Sequence, residues 1–354
     1  MTLALVTGGS GYVGSLYVAR LREHGYDVRV LDLMDADDRP TDVELVRGDI
    51  RDAAVVRTAV DGVDVVFHNV AQVPLARDPH LLRSVNVDGT RNLLEAARDA
   101  RVGKVVHTSS SAIFGVPRAN PVLPTTVPHP MEAYGQAKLE AEWACLAAAA
   151  AGLDVSVVRP RTVLGHGRLG IFGILFDWIA DGADPVVLGD GRNRYQFVHA
   201  DDLAELCRRE SEIEGPAVLN AGAPTFGTMA ETLQRLCEHA GTGCTVRRLP
   251  AGPTAVAMRA GSLLGVLPFA PYHWLMYAES MWFDVDHLGE RLGWIPGRTT
   301  DEMFRESYDW FCANRATTGR GDASHHRRSA RQGALSVAKR LTRFAPRVRS
   351  TRAR

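Results

Sequence analysis

The stretch "MEAYGQAKLE", residues 131–140, places Tyr134 and Lys138 four positions apart. On a helix this spacing puts both side chains on one face, a turn from each other. A free phenol titrates near ~10, too high for efficient proton transfer at neutral pH. An ammonium beside it favours the phenolate and brings that value down. The pair therefore predicts acid–base work rather than helix decoration. Three more hydroxyls, Ser109, Ser110 and Ser111, close the apolar run "KVVHTSSS". A serine at a strand end can hydrogen-bond the oxygen whose proton the phenol moves. Neighbouring strand positions face opposite ways, so Ser110 and its two neighbours would point to different sides.

A second constellation lies in "VTGGSGYVGSLYVARL", which spaces Gly8, Gly11 and Gly14 as T-G-x-x-G-x-x-G, with Tyr12 and Val13 between the last two. These glycines allow a tight turn and close approach of backbone to a diphosphate. The helix that starts there offers N–H groups and the positive end of its dipole. Asp32 closes the next strand-like run, eighteen residues after Gly14. Its carboxylate can accept hydrogen bonds from an adenosine ribose and would repel a 2′-phosphate. No Arg follows within "DLMDADD", so the expected cofactor is NAD and not NADP. A positively charged nicotinamide would be a further stabiliser of a Tyr134 phenolate.

The elements that must position these groups can be read from periodicity. Apolar runs at 3–7, 27–33, 43–46, 63–69, 104–110 and 153–160 alternate with helix-period segments near 12–24, 52–60, 80–100 and 131–151. The runs are almost continuously apolar, as in parallel strands covered by helices on both faces. The expected fold is α/β, a Rossmann-type doubly wound parallel sheet with a smaller C-terminal substrate-binding region. Residues 1–160 would be the NAD-binding domain. Residues 161–315, richer in Gly, Pro and aromatic side chains, would form the substrate-binding region. From it, "QFVHADDLAEL" and "AVLNAG" would return to the main sheet.

Residues 316–354 read as a basic, disordered tail. From Thr317 onward there are eleven Lys/Arg against one acid, Asp322, in a chain with 41 of each sign, so the preceding body is acidic. Within the tail, 334–345 has an amphipathic pattern through Leu335, Ala338, Leu341 and Phe344. Peripheral contact with anionic lipid is thus an alternative to simple solvation, whereas no nucleic-acid partner is expected. Cys145, Cys207, Cys237, Cys244 and Cys312 are scattered, with no CxxC or Cys/His cluster. That spacing gives neither a disulfide framework nor a metal site, and it fits a reducing cytosol. The first strand follows Met1 directly, and no apolar segment runs unbroken for the roughly 18–20 residues a membrane span needs, so the expected location is cytoplasmic.

The motifs in order are "TGGSGYVG", "GDI", "VVFHNVA", "SVNVDGTRNLLEAA", "HTSSSAIFG", "YGQAK", "RPRTVLGHG" and "FVHADDLA". Over roughly 2–315 this series resembles the extended short-chain dehydrogenase/reductase family, the NAD-dependent epimerase/dehydratase relatives of UDP-galactose 4-epimerase. The resemblance implies that Asp49 and Ile50 border the adenine. It places Val70 and Ala71 in a loop beside the cofactor, has Asn86 brace the sheet near the site, and adds Pro160 to the cofactor set. Counting back from Gly115, it selects Ser110 as the substrate-binding hydroxyl. Phe114 stands where the family usually has Tyr. In the implied reaction Tyr134 takes the proton of a secondary alcohol as hydride passes to NAD, Ser110 binds the same oxygen, and Lys138 holds the nicotinamide ribose and tunes Tyr134.

The same resemblance narrows the outcome without closing it. The family's dehydratases carry an Asp-Glu pair after the catalytic hydroxyl, and here those positions are Ser111 and Ala112, which disfavours a 4,6-dehydratase. Nucleotide-sugar members show Asn where Thr162 stands and Arg where Tyr195 stands; Arg194 is one residue early, which turns a strand side chain to the other face. Ser111, Thr162, Arg168, Arg194 and Tyr195 are the candidate substrate residues, with Arg161 and Arg192 as further possible anchors for a diphosphate. An apolar stretch holds Leu263, Leu264, Leu267, Phe269, Trp274, Met276, Tyr277 and Trp282. It reads first as core or lid packing and second as a hydrophobic pocket or membrane contact. The leading expectation is a nucleotide-sugar epimerase or related ketoreductase acting on a small-molecule substrate, with a homodimer as a further expectation. The alternatives are 3β-hydroxysteroid dehydrogenase-like oxidation of a hydrophobic alcohol, and a non-catalytic NAD-sensing protein.

Overall fold

Seven runs pair as parallel strands; the inner ones are apolar on both faces and covered on both, whereas the edge run Glu44–Arg47 is only partly buried. The computed structural model describes residues 1–72, 78–264 and 276–316. It begins with β1 (Leu3–Thr7), α1 (Tyr12–Glu23), β2 (Asp27–Asp32), β3 (Glu44–Arg47), α2 (Ala53–Val60) and β4 (Val65–His68). Next come α3 (Pro79–Arg83), α4 (Gly89–Asp99), β5 (Lys104–Thr108), α5 (Ala133–Ala150) and β6 (Val155–Pro160). Then follow β7 (Thr162–Leu164), α6 (Gly170–Ala180), β8 (Val186–Leu188), β9 (Phe197–His199), α7 (Ala200–Ser211) and β10 (Ala217–Ala221). Last are α8 (Met229–Ala240), β11 (Arg247–Leu249), α9 (Ala251–Leu263) and the helices Asp286–Leu292 and Thr300–Asn314.

The main sheet runs β10-β6-β5-β4-β1-β2-β3, parallel throughout. This is the doubly wound order, and the direction of winding reverses between β1 and β4. The loops after Thr7 and His68 therefore part at the carboxyl edge and open a crevice there. Alternate residues feed the two sides. Val6, Val30, Phe67, Val106 and Val158 pack with Tyr17 and Leu21 of α1 and Leu203 of α7. Leu5, Leu31, Val66, Val105 and Val157 pack with Val56 and Val60 of α2 and Leu93 and Ala97 of α4.

Three local expectations are corrected. "AVLNAG" does return to the main sheet, as β10 beside β6, but "QFVH" does not: β9 pairs with the short β7 instead. Its Phe197 ring packs 5.0 Å from Phe304 and 6.0 Å from Phe172, so aromatic packing with α6 and the last helix holds β9 away from the sheet edge. Second, the helix expected near 80–100 is broken by a π-helical turn at Ser84–Asp88. There Thr90 Oγ1 donates to the Asn86 carbonyl at 2.7 Å, while the Asn86 side chain accepts from Gln72 N at 2.7 Å and donates to its carbonyl at 3.2 Å. Such turns lodge one extra residue and turn a side chain out of helical register. Third, the strand expected over 104–110 ends at Thr108, because Ser110 caps a short 3₁₀ turn at Ser111–Phe114.

The apolar stretch divides. Met276 is buried, but Leu263 and Leu264 are each 77% exposed and do not serve as core. Leu267, Phe269 and Trp274 lie outside the described residues, as does the basic tail with its amphipathic segment. No helix among the described residues is long and apolar enough to cross a membrane.

Behind α5 lies a buried charge pair. Glu142 is 1% exposed and accepts from the Arg159 guanidinium of β6 and from Ser109 Oγ at 2.9 Å. Arg159 Nη1 also donates to the Pro124 carbonyl at 2.8 Å, which ties down the long segment leading into α5. Removing one partner of such a pair strands a buried charge, whereas replacing both by apolar groups is often tolerated. Glu142→Gln should thus cost about 3–5 kcal/mol of folding stability in denaturant melts. A double variant, Glu142→Leu with Arg159→Met, should recover most of it, and equal losses in both would remove the charge pair as the cause.

Candidate active site

The first turn of α5 is set by its cap. Glu132 accepts from the backbone N–H groups of Tyr134 at 2.8 Å and Gly135 at 2.6 Å, which satisfies donors that a helix start leaves open. Burial raises the pKa of that carboxyl. Gly135 lets the helix press against the 3₁₀ turn: a Cβ there would lie 2.5 Å from the Ala112 carbonyl oxygen. The backbone segments carrying Tyr134 and Ser110 are thereby held in contact. One turn on, Lys138 is 3% exposed and its Nζ donates to the Thr108 carbonyl, 2.8 Å away. Burial pulls its ammonium down to about 8. His68 and His107 lie beneath it and are kept neutral, His68 near 3, by burial first and by the Lys138 charge second.

The three serines separate cleanly. Ser109 Oγ is committed to Glu142, and Ser111 Oγ accepts from Arg161 Nη1 at 2.9 Å; both are buried. Ser110 is half-buried and its oxygen accepts from Ala112 N at 3.2 Å, which leaves its proton to donate elsewhere.

The glycine turn fits a dinucleotide. A Cβ on Gly14 would sit 2.0 Å from the Gly8 carbonyl oxygen, so only glycine lets α1 begin this close to the turn. Gly11 N donates to the same oxygen at 3.1 Å. The N–H groups of Tyr12 and Val13 then stand at a helix start with its positive dipole end. Asp32 accepts from Ser10 N at 3.1 Å and Met34 N at 3.2 Å, which aims its carboxylate along the turn; burial raises its pKa. Across the crevice, the N–H groups of Asn69 and Val70 donate to Thr7 Oγ1 at 3.1 and 3.3 Å, and Ala71 follows, partly buried. Ile50 is buried, and Pro160 closes β6. Asp49 is engaged by Arg51, whose guanidinium holds its carboxyl below the usual range.

The candidate substrate residues do not form one group. Tyr195 is turned inward, and its hydroxyl meets Thr162 Oγ1 at 3.0 Å. Arg194, one residue earlier on the opposite side, is exposed, with its guanidinium 4.8 Å from the Phe226 ring and 4.6 Å from the Trp282 ring. It does not bend through a bulge toward Tyr195. The cation over Tyr195 is Arg161, 1% exposed, 4.6 Å from the ring centre and bonded to Ser111. Sequence reasoning raised Arg161 only as a substitute anchor; its place directly after Pro160, at the end of an apolar strand, is the signal that could have found it. Arg168 stands apart from these residues, over the Tyr12 ring at 5.5 Å. Glu132 and Glu142, which set α5, were missed, although an acid two residues before Tyr134 matches an N-cap.

A model of the NAD dependent epimerase/dehydratase family matches residues 4–222. An uncharacterized protein of Sinorhizobium fredii is 47% identical over 344 residues, 97% of this chain and 87% of that one. A UDP-glucose 4-epimerase of Mycolicibacterium smegmatis is 33% identical over 252 residues, 65% of this chain and 79% of that one. The crystal structure of UDP-glucose 4-epimerase from Thermotoga maritima, with UDP-glucose, superposes with a TM-score of 0.75 at 24% identity. That likeness covers 88% of this chain and 99% of the other, and it concerns the fold.

Lys138 gives a test that needs no substrate. The unfolded chain keeps this proton up to the ordinary value of 10.5, whereas the folded chain releases it from about 8. Between those values the unfolded state binds more protons, so this group's contribution to stability rises with pH. Denaturant melts at about pH 8 and about pH 10 should show the wild type gaining stability relative to Lys138→Met. Parallel behaviour of the two proteins would show that the ammonium is not depressed.

Proposed function

Because the chain belongs to the NAD dependent epimerase/dehydratase family and is an NAD-dependent enzyme, we propose that it interconverts a secondary alcohol and a ketone on a nucleotide sugar, as an epimerase or a closely related ketoreductase. The observation that carries this reading is the division of labour among the serines. Ser109 and Ser111 are held by buried charged partners, and Ser110 alone of the three stands half-exposed beside the turn against which α5 presses.

The turn from Gly8 to Gly14, with the N–H groups of Tyr12 and Val13, would hold the diphosphate of NAD, Asp32 the adenosine ribose and Lys138 the nicotinamide ribose. When bound, NAD supplies a hydride acceptor, or in the reverse direction a hydride donor. Tyr134 moves the proton of the carbinol oxygen, and Ser110 Oγ donates a hydrogen bond to that same oxygen. The Lys138 ammonium, fixed on the Thr108 carbonyl, favours the phenolate of Tyr134. Ser111 and Ala112 put no acid–base pair after Ser110, so loss of water is not part of the reaction.

The nucleotide-sugar assignment draws on the sequence relative named UDP-glucose 4-epimerase. Thr162 and Tyr195 set this chain apart from that pattern, and Arg161 brings the only cation seen over the Tyr195 ring among the described residues.

Tyr134→Phe should lower turnover at least ~100-fold, the usual scale of general acid–base catalysis, with NAD affinity nearly unchanged by isothermal titration. Retained turnover would sink the mechanism. Asp32→Ala should narrow the preference for NAD over NADP in the same titration; an unchanged ratio would take Asp32 out of the ribose site. For the substrate, NAD-loaded protein is melted with UDP-, GDP- and dTDP-sugars and with sterols, since a ligand stabilises the state it binds. A rise in Tm with a nucleotide sugar is expected, and a rise with sterols alone would replace this reading by oxidation of a hydrophobic alcohol.

A further inference from the structure

We propose that Arg168 is a ligand of the cofactor's diphosphate, reaching the glycine turn from the opposite half of the molecule. The inference rests on the assignment of the Gly8–Gly14 turn as the dinucleotide cradle, and it moves Arg168 out of the substrate set.

The residues from Gly8 to Ala19 include no Lys or Arg, so the turn offers a diphosphate only backbone N–H groups and a helix dipole. Arg168 comes from the loop after β7, where its backbone N–H donates to the Gly165 carbonyl at 3.1 Å and folds the chain back toward α1. Its guanidinium lies 5.5 Å from the ring centre of Tyr12, a side chain only 4% exposed on the first residue of α1. The residue as a whole is half-buried, but its Nη1 is closed to solvent and has no hydrogen-bond partner among the described residues. No carboxylate among the described residues is within ion-pairing distance of it either. Arg161, by contrast, is already engaged with Ser111 and the Tyr195 ring.

A buried guanidinium N–H with nothing to donate to is costly, and groups in that position are commonly completed by a ligand. Burial pulls this guanidinium down to about 10, and the two groups whose charge it feels are Tyr12 and Tyr134. Packed over Tyr12, it is thus also close enough to the Tyr134 phenol to act on its charge. A dinucleotide reaching from the cradle to that phenol spans the gap with its diphosphate and nicotinamide ribose, and the planar fork of Arg suits two phosphate oxygens.

The test uses the full chain and three probes in isothermal titration: NAD, ADP-ribose and adenosine. Arg168→Gln should weaken NAD and ADP-ribose by about tenfold or more and leave adenosine unchanged. Arg168→Lys, which keeps the charge, should recover part of the loss. The apo form of Arg168→Gln should melt no lower than the wild type, because the buried charge it removes has no carboxylate and its Nη1 no hydrogen-bond partner among the described residues. NAD affinity at the wild-type level, with a raised KM for substrate, would return Arg168 to the substrate side and overturn the proposal. So would an apo protein of lowered Tm with Arg168→Lys no better than Arg168→Gln, since that pattern marks packing on Tyr12. A wild-type protein that binds neither NAD nor ADP-ribose would instead overturn the cradle itself.

Discussion

The buried contact between Glu142 and Arg159 governs more of this molecule than its size suggests. Glu142 lies two helical turns after Tyr134 on the same helix, and its carboxylate gathers the Arg159 guanidinium from β6 and the Ser109 hydroxyl from the segment after β5. A charge pair at this depth contributes little net energy, but it fixes relative position, because any shift of the helix leaves an ion unpaired. With the rear of α5 pinned to two neighbouring strands, the front is pressed onto the 3₁₀ turn at Ala112, and only Gly135 fits there. Lys138 completes the arrangement by donating to the Thr108 carbonyl. The cap at Glu132, the Gly135 contact, the Lys138 bond and the Glu142–Arg159 pair, which together place this helix, all join residues within the first 160.

That division explains which features could be read from the amino-acid sequence. Tyr134 and Lys138 are four residues apart on one helix, and the glycine turn is a local strand–turn–helix, so both are written in contiguous residues with strong periodicity. The doubly wound order followed from alternation of apolar runs with helical segments. Pairing partners for short runs did not. "QFVH" is as apolar as a main-sheet strand, and nothing inside it records that Phe304 and Phe172 draw it to β7 instead. The π-helical turn was equally silent, since Ser84–Asp88 carries the side-chain pattern of an ordinary helix and its distortion depends on Gln72, in a loop before it.

The substrate half illustrates a different limit. Position by position, Tyr195 looks like the loss of a cation, and Arg194 like a cation misplaced by one residue. In space, a guanidinium does lie over Tyr195, delivered by Arg161 from the end of β6. The aromatic ring supplies the face on which that charge rests, and Ser111 takes one of its N–H groups. Ser111, Arg161 and Tyr195, far apart along the chain, form a single buried group that a position-by-position comparison of motifs does not see.

The π-helical turn between α3 and α4 carries one residue more than an α-helix of the same rise needs. A deletion inside an ordinary helix rotates everything beyond it by about 100° and scrambles its buried face. Here the loss of one residue from Ser84–Asp88 would let the turn relax to α-helical winding, with Leu93 and Ala97 still facing Val66 and Val105 across the sheet. What would be lost is the hold of Asn86 on Gln72. A one-residue deletion here should therefore leave the helix folded, with the cost falling on the loop after β4 that Asn86 holds.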